Sequence, residues 1–550
     1  MCNGIQVTPS PYVLGIDLGT TNSSVAIYKN GEMLVLPIDN GNITMPTAVR
    51  FKNRRKDTVS IGKQAKEYIH IKPDEVFTSV KSLMGDNEWM DKSEIREKFK
   101  IEGVQFTPTD IATIFLRELI AKAEATGLGE GSFERAVITV PANSSPAYKQ
   151  HIWEAAEAAG LGETDEHGNV KHDDSGHPAG VYILEEPTAA ALAYAQSMGF
   201  DDTKNKEQRI LVYDLGGGTF DATVLKLKSE IGKATKFTIM STHGIIDLGG
   251  DTFDWIIAEI IAKHIQDETD IDVLTNPSSI EAKSKIKAIA EQTKINFSIG
   301  NDTEIEIDLS QVVVDSTNPE KRASSVIISR ESFMNKLMPL LDKTVECIKT
   351  VLKEASVEAD DIDRIILVGG SSKAPWVRKI VTEMFREPYV AQNVDTIVAQ
   401  GASYYGHMGP IVNPLISTTS HYYGIEVQSG LFSPMVLKNT PFDGQEYVSH
   451  EATFYNPNDS GRAIVTGFIT QDKVEYTEKE NGARISDYLV TQENNLGEPM
   501  FRYIGEFDIT VPRKAAGQVA IVLTMKVFKD NHVEVIATAE GKETPVIWKY

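Results

Sequence analysis

Cysteine is nearly absent from this chain: Cys2 and Cys347 are the two present in 550 residues, so no disulfide framework is available and a reducing compartment is expected. Long hydrophobic runs are missing as well. No stretch approaches the roughly 18 apolar residues of a membrane-spanning helix, and the opening MCNGIQVTPSP has no apolar core of a secretion signal. These two absences lead to the expectation of a cytoplasmic protein with no membrane partner. Positive charge is in deficit, with 55 Lys and Arg against 78 Asp and Glu and a formal charge of −23, which argues against nucleic acid or an anionic membrane as partner. What is there is ample apolar material. At 41% apolar and 24% charged, the chain can bury two or three cores, and its length alone suggests three or four domains.

The stretch VLGIDLGTTNSSVAIY, from residue 13 to 28, runs from one apolar strand through a polar turn into another. An ordinary hairpin tip favours Asn-Gly, whereas this one carries Asp17 at the strand end and Gly19, Thr20, Thr21 and Asn22 at the turn. Gly19 permits close approach of a ligand, and successive turn N–H groups flanked by hydroxyls can cradle a phosphate. Taken alone the segment is equally a polar turn. The same pattern returns in ILVYDLGGGTFDATVL, residues 210 to 225, with Asp214, Gly216, Gly217, Gly218 and Thr219 at the turn and Asp221 where the second strand begins. Two such hairpins predict two similar lobes gripping one polyphosphate, with Mg²⁺ held through water by Asp17, Asp214 and Asp221.

Two further glycine turns extend this grammar. RIILVGGSSKAPWVRKIV reads as strand, Gly369-Gly370-Ser371 turn and helix, an arrangement that suits an anion or nucleoside, though a plain strand-to-helix turn reads the same way. In THGIIDLGGDTFDWIIAEII, Gly249, Gly250 and Asp251 lead into a helix of apolar periodicity. An amphipathic helix is predicted from about Ser278, its lysines forming a solvated face.

IDLGTTNS, VITVPAN, EEPTAAALAY, VYDLGGGTFD, DLGGDTFD and LVGGSSKAP, in this order, resemble the ATPase domain of the seventy-kilodalton heat-shock chaperone family, over roughly residues 11 to 408. The resemblance implies a two-lobed α/β fold of the actin type that binds ATP, ADP and Mg²⁺. It implies that Lys81 is the catalytic lysine, that Glu186 arranges water near the metal, that Thr44 lies near the γ-phosphate, and that Asp17, Asp214 and Asp221 organise the metal and orient the attacking water. It also implies that Glu291, Lys294 and Ser298 bond ribose and adenine and that Asp395 is a last nucleotide-site carboxylate. Lys373 stands where the family usually has an arginine stacked on adenine; an ammonium stacks less well, so weaker nucleotide affinity is expected.

Three departures accompany the likeness. The family's VPAYFND appears as VPANSSPAYKQ, with Lys149 in place of an arginine. Residues 162–180, GETDEHGNVKHDDSGHPAG, read as an insertion whose His167, His172 and His177 are either metal ligands or, with the greater weight, part of a mobile solvated loop. The expected interdomain linker, residues 409–420, keeps Leu415 and Ile416 but has Ser417 where the family has an acidic residue.

Residues 421–550 alternate apolar and polar in short runs such as YYGIEVQ, AIVTGFIT and HVEVIATAE, predicting an all-β sandwich. This part resembles the family's peptide-binding domain, which implies that Ile425, Val427 and Ile464 line a peptide cleft; sandwich core is the alternative for each. No helical region follows the strands, so the expectation is a short form without the family's helical lid. The predicted whole is an ATP-hydrolysing chaperone for protein folding and the stress response. It would bind unfolded or extended polypeptide, with a co-chaperone and a nucleotide-exchange factor as possible partners. The alternatives are a nucleotide-gated scaffold with a dedicated partner and negligible ATP turnover, and a sugar or metabolite kinase of the same superfamily.

Overall fold

The computed structural model describes the chain except residues 1–8, 70, 86–88, 143, 174–175, 199–205, 231–232, 390–393, 410–418, 420, 439, 443–444, 471–472, 494–498, 529–531 and 549–550. The expected linker, with Leu415, Ile416 and Ser417, therefore lies almost wholly outside the described residues. The described residues form two compact units, one from within 1–142, 150–235 and 243–412, the other from within 143–149, 236–242 and 413–550. Among the described residues no helix is long and apolar enough to cross a membrane.

The first unit is α/β, and its two main sheets repeat one topology. In one, Val181–Glu185, Ala136–Val140, Leu14–Asp17, Asn22–Lys29 and Glu32–Val35 lie in that spatial order. Leu14–Asp17 runs antiparallel to Asn22–Lys29 and parallel to Ala136–Val140. In the other the strands Thr219–Glu230, Lys206–Leu215 and Arg364–Val368 lie in that order. Here Lys206–Leu215 runs antiparallel to Thr219–Glu230 and parallel to Arg364–Val368. Each strand that carries a tip aspartate, Asp17 or Asp214, is thus flanked by its hairpin partner on one side and a parallel strand on the other. The central strands are continuous apolar runs because both faces are covered: Leu14, Ile16, Val25, Ile27 and the whole of Ile210–Leu211–Val212–Tyr213 have no exposed surface.

Small residues let the covering helices close in. A Cβ on Gly15 would fall 2.3 Å from Ser403 N, so the helix Ile397–Met408 lies directly on the first strand. A Cβ on Gly401 would fall 1.7 Å from Ala189 O, which seats that helix against Glu186–Ser197, the helix that begins with Glu186. The motif EEPTAAALAY is alanine-rich for this reason: Ala189, Ala190, Ala191 and Ala193 are all buried.

The insertion is solvent-exposed over residues 166–169 and 171–173, as the sequence reading expects, but it is a paired segment rather than an open loop. Bridges Thr164↔Val170 and His172↔Pro178 fold it into a ladder, and His177 stacks on Trp153 at 3.7 Å between ring centroids and 10° between planes. His172 Nε2 lies 3.1 Å from Glu157 Oε1. The aromatic contact holds this segment on the helix Pro146–Ala158 despite its polar composition.

In the second unit, Leu431–Val436, Tyr422–Val427, Arg462–Thr470 and Arg502–Thr510 form one four-stranded sheet, and Tyr447–Tyr455, Ala520–Phe528, Val533–Ala539 and Lys542–Trp548 another. Both contribute to a single core that includes Tyr423, Ile425, Val465, Ile521, Val535 and Trp548. Gly467 pairs with Gly505 across the first sheet, and a Cβ on either would strike the Trp548 ring, at 2.3 and 2.5 Å. The indole fills the space that these two residues leave.

Candidate functional site

The two hairpin tips meet. Gly19 turns so tightly that a Cβ there would fall 2.0 Å from Asn22 O, and Gly216 N–H donates to Thr219 O at 3.0 Å. A Cβ on Gly217 would fall 2.0 Å from Thr21 Oγ1, and one on Gly218 3.4 Å from Thr20 Cγ2. Glycine is therefore required at 217 by the hydroxyl of the other turn, while Thr20, Thr21 and the 216–218 backbone line one shared point. Thr47 N–H donates to Thr21 O at 2.9 Å and fixes the first tip. Thr44 sits half-buried just ahead of Met45–Pro46, the short strand paired with Asn22–Lys29.

Carboxylates cluster beneath the tips. Asp214 and Asp221 face each other across the second hairpin, and Asp17 ends the first strand. Burial, then the charge of Glu186, pushes Asp17 up to about 7, against the opposing pull of Lys81 and the Thr139 hydroxyl 3.5 Å away. Asp221 is raised to about 7 by burial and Glu186, again opposed by Lys81. Burial lifts Asp214 well above the usual carboxylate range, with Glu186, Asp221 and Asp17 adding to it. Lys81 Nζ donates to Glu186 Oε1 at 2.5 Å, both side chains being buried. Their elements converge: Lys81 lies in the helix Val80–Met84, entered through a left-handed Ser79 at φ 55°, and Glu186 is the first residue of its helix.

The Gly249-Gly250-Asp251 and Gly369-Gly370-Ser371 turns enclose the second tip. Gly250 and Asp251 N–H groups donate to Gly216 O and Gly217 O at 3.0 and 2.7 Å, and Ser371 Oγ donates to Gly216 O at 2.8 Å. Gly369, at φ 82°, packs where a Cβ would meet Leu215 O at 2.4 Å. Lys294 reaches the same turn, donating to Gly250 O at 3.0 Å and pairing with buried Asp254 at 2.7 Å. Burial raises Asp254 to about 6 despite that partner. Glu291 pairs with Lys66 at 2.9 Å, and Lys373 pairs with Asp395, whose carbonyl oxygen accepts from Ser24 Oγ at 3.3 Å. Ser298 caps its own helix through Ile295 O at 2.7 Å.

Sequence reading did not identify Asp254, Lys66 or Thr139. Asp254 stands three residues after Asp251 in DLGGDTFD, one helical turn in, and only the structure shows that it is buried. The lysines of the helix Ile280–Ile299 are not merely a solvated face, since Lys294 is engaged with Asp254 and Lys287 lies 3.6 Å from Asp251.

The carboxylates supply the all-oxygen donor set of a hard divalent cation. Among the described residues no three His, Cys, Asp or Glu side chains form a group that could hold a metal ion directly. His167, His172 and His177 form no such group either.

In the second unit Ile425 is buried in the core and Val427 packs against it, whereas Ile464 is 65% exposed. The three residues expected to line a cleft therefore do not share one surface.

A family model for Hsp70 protein matches residues 13–460.

Proposed function

The chain belongs to the Hsp70 family, and from that premise we propose that it binds and hydrolyses ATP and couples this to binding extended polypeptide. Members of the family are ATPases that bind nucleotide with Mg²⁺ and act on unfolded polypeptide with co-chaperones. The observation that carries the reading for this chain is the meeting of two phosphate-type turns beside buried Lys81, Glu186, Asp214 and Asp221 and half-buried Asp17.

In the proposed reaction water attacks the γ-phosphorus, and the bond to the bridging oxygen of ADP breaks. The backbone N–H groups of the 216–218 and 19–21 turns, with the Thr20 and Thr21 hydroxyls, hold the phosphates. Lys81 presents a fixed positive charge where negative charge grows on the transferred group, and Glu186 holds the ammonium in place. Asp17, Asp214 and Asp221 hold hydrated Mg²⁺, which when bound neutralises phosphate charge. One carboxylate of this set orients the attacking water and accepts its proton. Glu291, Lys294, Ser298, Gly369, Gly370 and Ser371 are assigned to the nucleoside. Lys373 and Asp395, paired with each other at the surface, are assigned to the adenosine side.

The β unit is assigned to peptide. Exposed Ile464 is its contact residue, and Ile425 and Val427 support the sheet from the core side. A co-chaperone and a nucleotide-exchange factor are the proposed partners, in a cytoplasmic setting. The test is single-turnover ATP hydrolysis by the full chain and by Lys81→Ala, with and without a panel of extended peptides. Hydrolysis lost in the variant and peptide binding that responds to nucleotide support the reading. Negligible parent turnover, unaffected by any peptide, replaces it with a nucleotide-gated scaffold.

A further inference from the structure

Asp254 is a buried carboxylate that takes no part in the reaction described above. It lies one turn into the helix Gly250–Thr269, 2% exposed, on the face that buries Ile257, Ala258 and Ile261. A carboxylate in such company is costly unless a cation meets it. That cation comes from another helix: Lys294, in Ile280–Ile299, sets its Nζ 2.7 Å from Asp254 Oδ1. The two side chains are 4% and 15% exposed, so salt and water screen the pair little.

The carboxylate fixes the end of a long side chain. A lysine stem is flexible, and its ammonium carries three N–H donors. One serves Asp254 and one donates to Gly250 O at 3.0 Å, and among the described residues no acceptor takes the third. A Cβ on Gly250 would fall 3.2 Å from Lys294 Nζ and 2.6 Å from Ser371 Oγ, so the ammonium and this hydroxyl flank one α-carbon. Ser371 Oγ and the Gly250 N–H both donate to Gly216 O. Lys294 is thereby held between the turn at 369–371 and the phosphate-type tip at 216–218.

Resting on the ATP-binding reading above, we infer that Asp254 is a positioning residue of the nucleotide site, holding Lys294 so that its remaining N–H donates to a sugar hydroxyl. The pair selects that kind of acceptor. An ammonium without a counter-ion beside two phosphate-type turns would be drawn to phosphate charge. Neutralised by Asp254, it offers a directed donor with little net charge, which suits a neutral hydroxyl better than a phosphate oxygen.

The probes are ADP and 2′,3′-dideoxy-ADP, each with Mg²⁺, titrated calorimetrically into the full-length protein. The parent should bind ADP roughly tenfold more tightly than the dideoxy nucleotide. Asp254→Asn should weaken ADP by about that factor and leave the dideoxy nucleotide nearly unchanged, and in a Lys294→Met background it should change neither. A role confined to packing would weaken both nucleotides alike. If Asp254→Asn does not fold, the parent carries the test through pH. Burial raises Asp254 to about 6, with Glu291 and Asp251 adding to this and Lys294 opposing it. Protonation of Asp254 releases Lys294, so the preference for ADP should be present above pH 6 and fall away below it. Titration of the phosphates and of the metal-site carboxylates is common to both nucleotides and cancels in the ratio. Equal binding of the two nucleotides by the parent overturns the inference, as does an Asp254→Asn protein that loses both alike or neither, or a ratio constant from roughly pH 5 to pH 8. A parent that binds neither nucleotide removes the ATP-binding reading itself, and the inference with it.

Discussion

Gly217 and Thr21 belong to different hairpins of different sheets, yet a Cβ on the glycine would lie 2.0 Å from the threonine hydroxyl oxygen. Gly217→Ala therefore forces Thr21 to turn its hydroxyl away and parts the two tips. The expected outcome is a loss of nucleotide affinity of roughly tenfold or more, with about 1–3 kcal/mol of destabilisation from overpacking. Calorimetric titration with ADP and Mg²⁺ checks it. Adding Thr21→Ala to Gly217→Ala should recover the stability while the affinity stays low, because the hydroxyl is still missing.

Lys81 and Glu186 form a buried pair at 2.5 Å, so removing one partner leaves a charge without its counter-ion. Lys81→Ala is expected to cost roughly 3–5 kcal/mol of stability in urea titrations and to lower single-turnover hydrolysis by roughly 10²-fold or more. Lys81→Met combined with Glu186→Gln separates the two roles: stability should largely return and turnover should not. Turnover restored in the double variant would remove Lys81 from the reaction.

The raised carboxylates set a pH dependence of stability. Asp17 and Asp221 move from the ordinary 3.8 to about 7 in the folded chain. Between about pH 4 and pH 7 the folded state holds protons that the unfolded state has released, so stability falls as pH rises through this window and levels off above it. The slope approaches ~1.4 kcal/mol per pH unit for each such group. The ligand-free protein should melt at a higher temperature near pH 5 than near pH 7.5, and Asp221→Asn should flatten the difference. Binding of Mg²⁺ with ADP near pH 6 should release protons, read as a dependence of the calorimetric heat on the buffer's ionisation enthalpy.

His177 stacks on Trp153 and anchors the 162–180 excursion. His177→Ala should remove about 0.5–1.5 kcal/mol of aromatic contact and open that segment locally. Amide exchange within it is expected to quicken by roughly tenfold, with rates in the flanking strands unchanged. Equal acceleration throughout the sheet would assign the pair to the core instead.

The hairpins were legible because their chemistry is local: an aspartate, glycines and threonines stand within a few residues, and the string occurs twice. The glycine turns at 249 and 369 were legible for the same reason. Asp254 with Lys294, Lys66 with Glu291 and Gly217 with Thr21 were not, because each joins residues far apart in the chain, and the periodicity of one segment carries no information about the other. The histidines of 162–180 misled in the opposite sense, since polar composition concealed one aromatic contact with Trp153. Ile425 and Ile464 look equivalent as strand residues, and their opposite burial became visible only once the pairing of Arg462–Thr470 with its neighbours was set.

Trp548 has a bearing on synthesis. The indole that fills the gap over Gly467 and Gly505 stands at the end of the last described strand. While the chain is still being made, both earlier sheet strands can emerge and pair, but the space above the two glycines stays open until translation has passed this tryptophan. A nascent chain paused before that point presents bare backbone and the apolar neighbours Val465 and Ile504 to its surroundings. The β unit is in that interval itself the kind of incompletely folded polypeptide that chaperones exist to shelter.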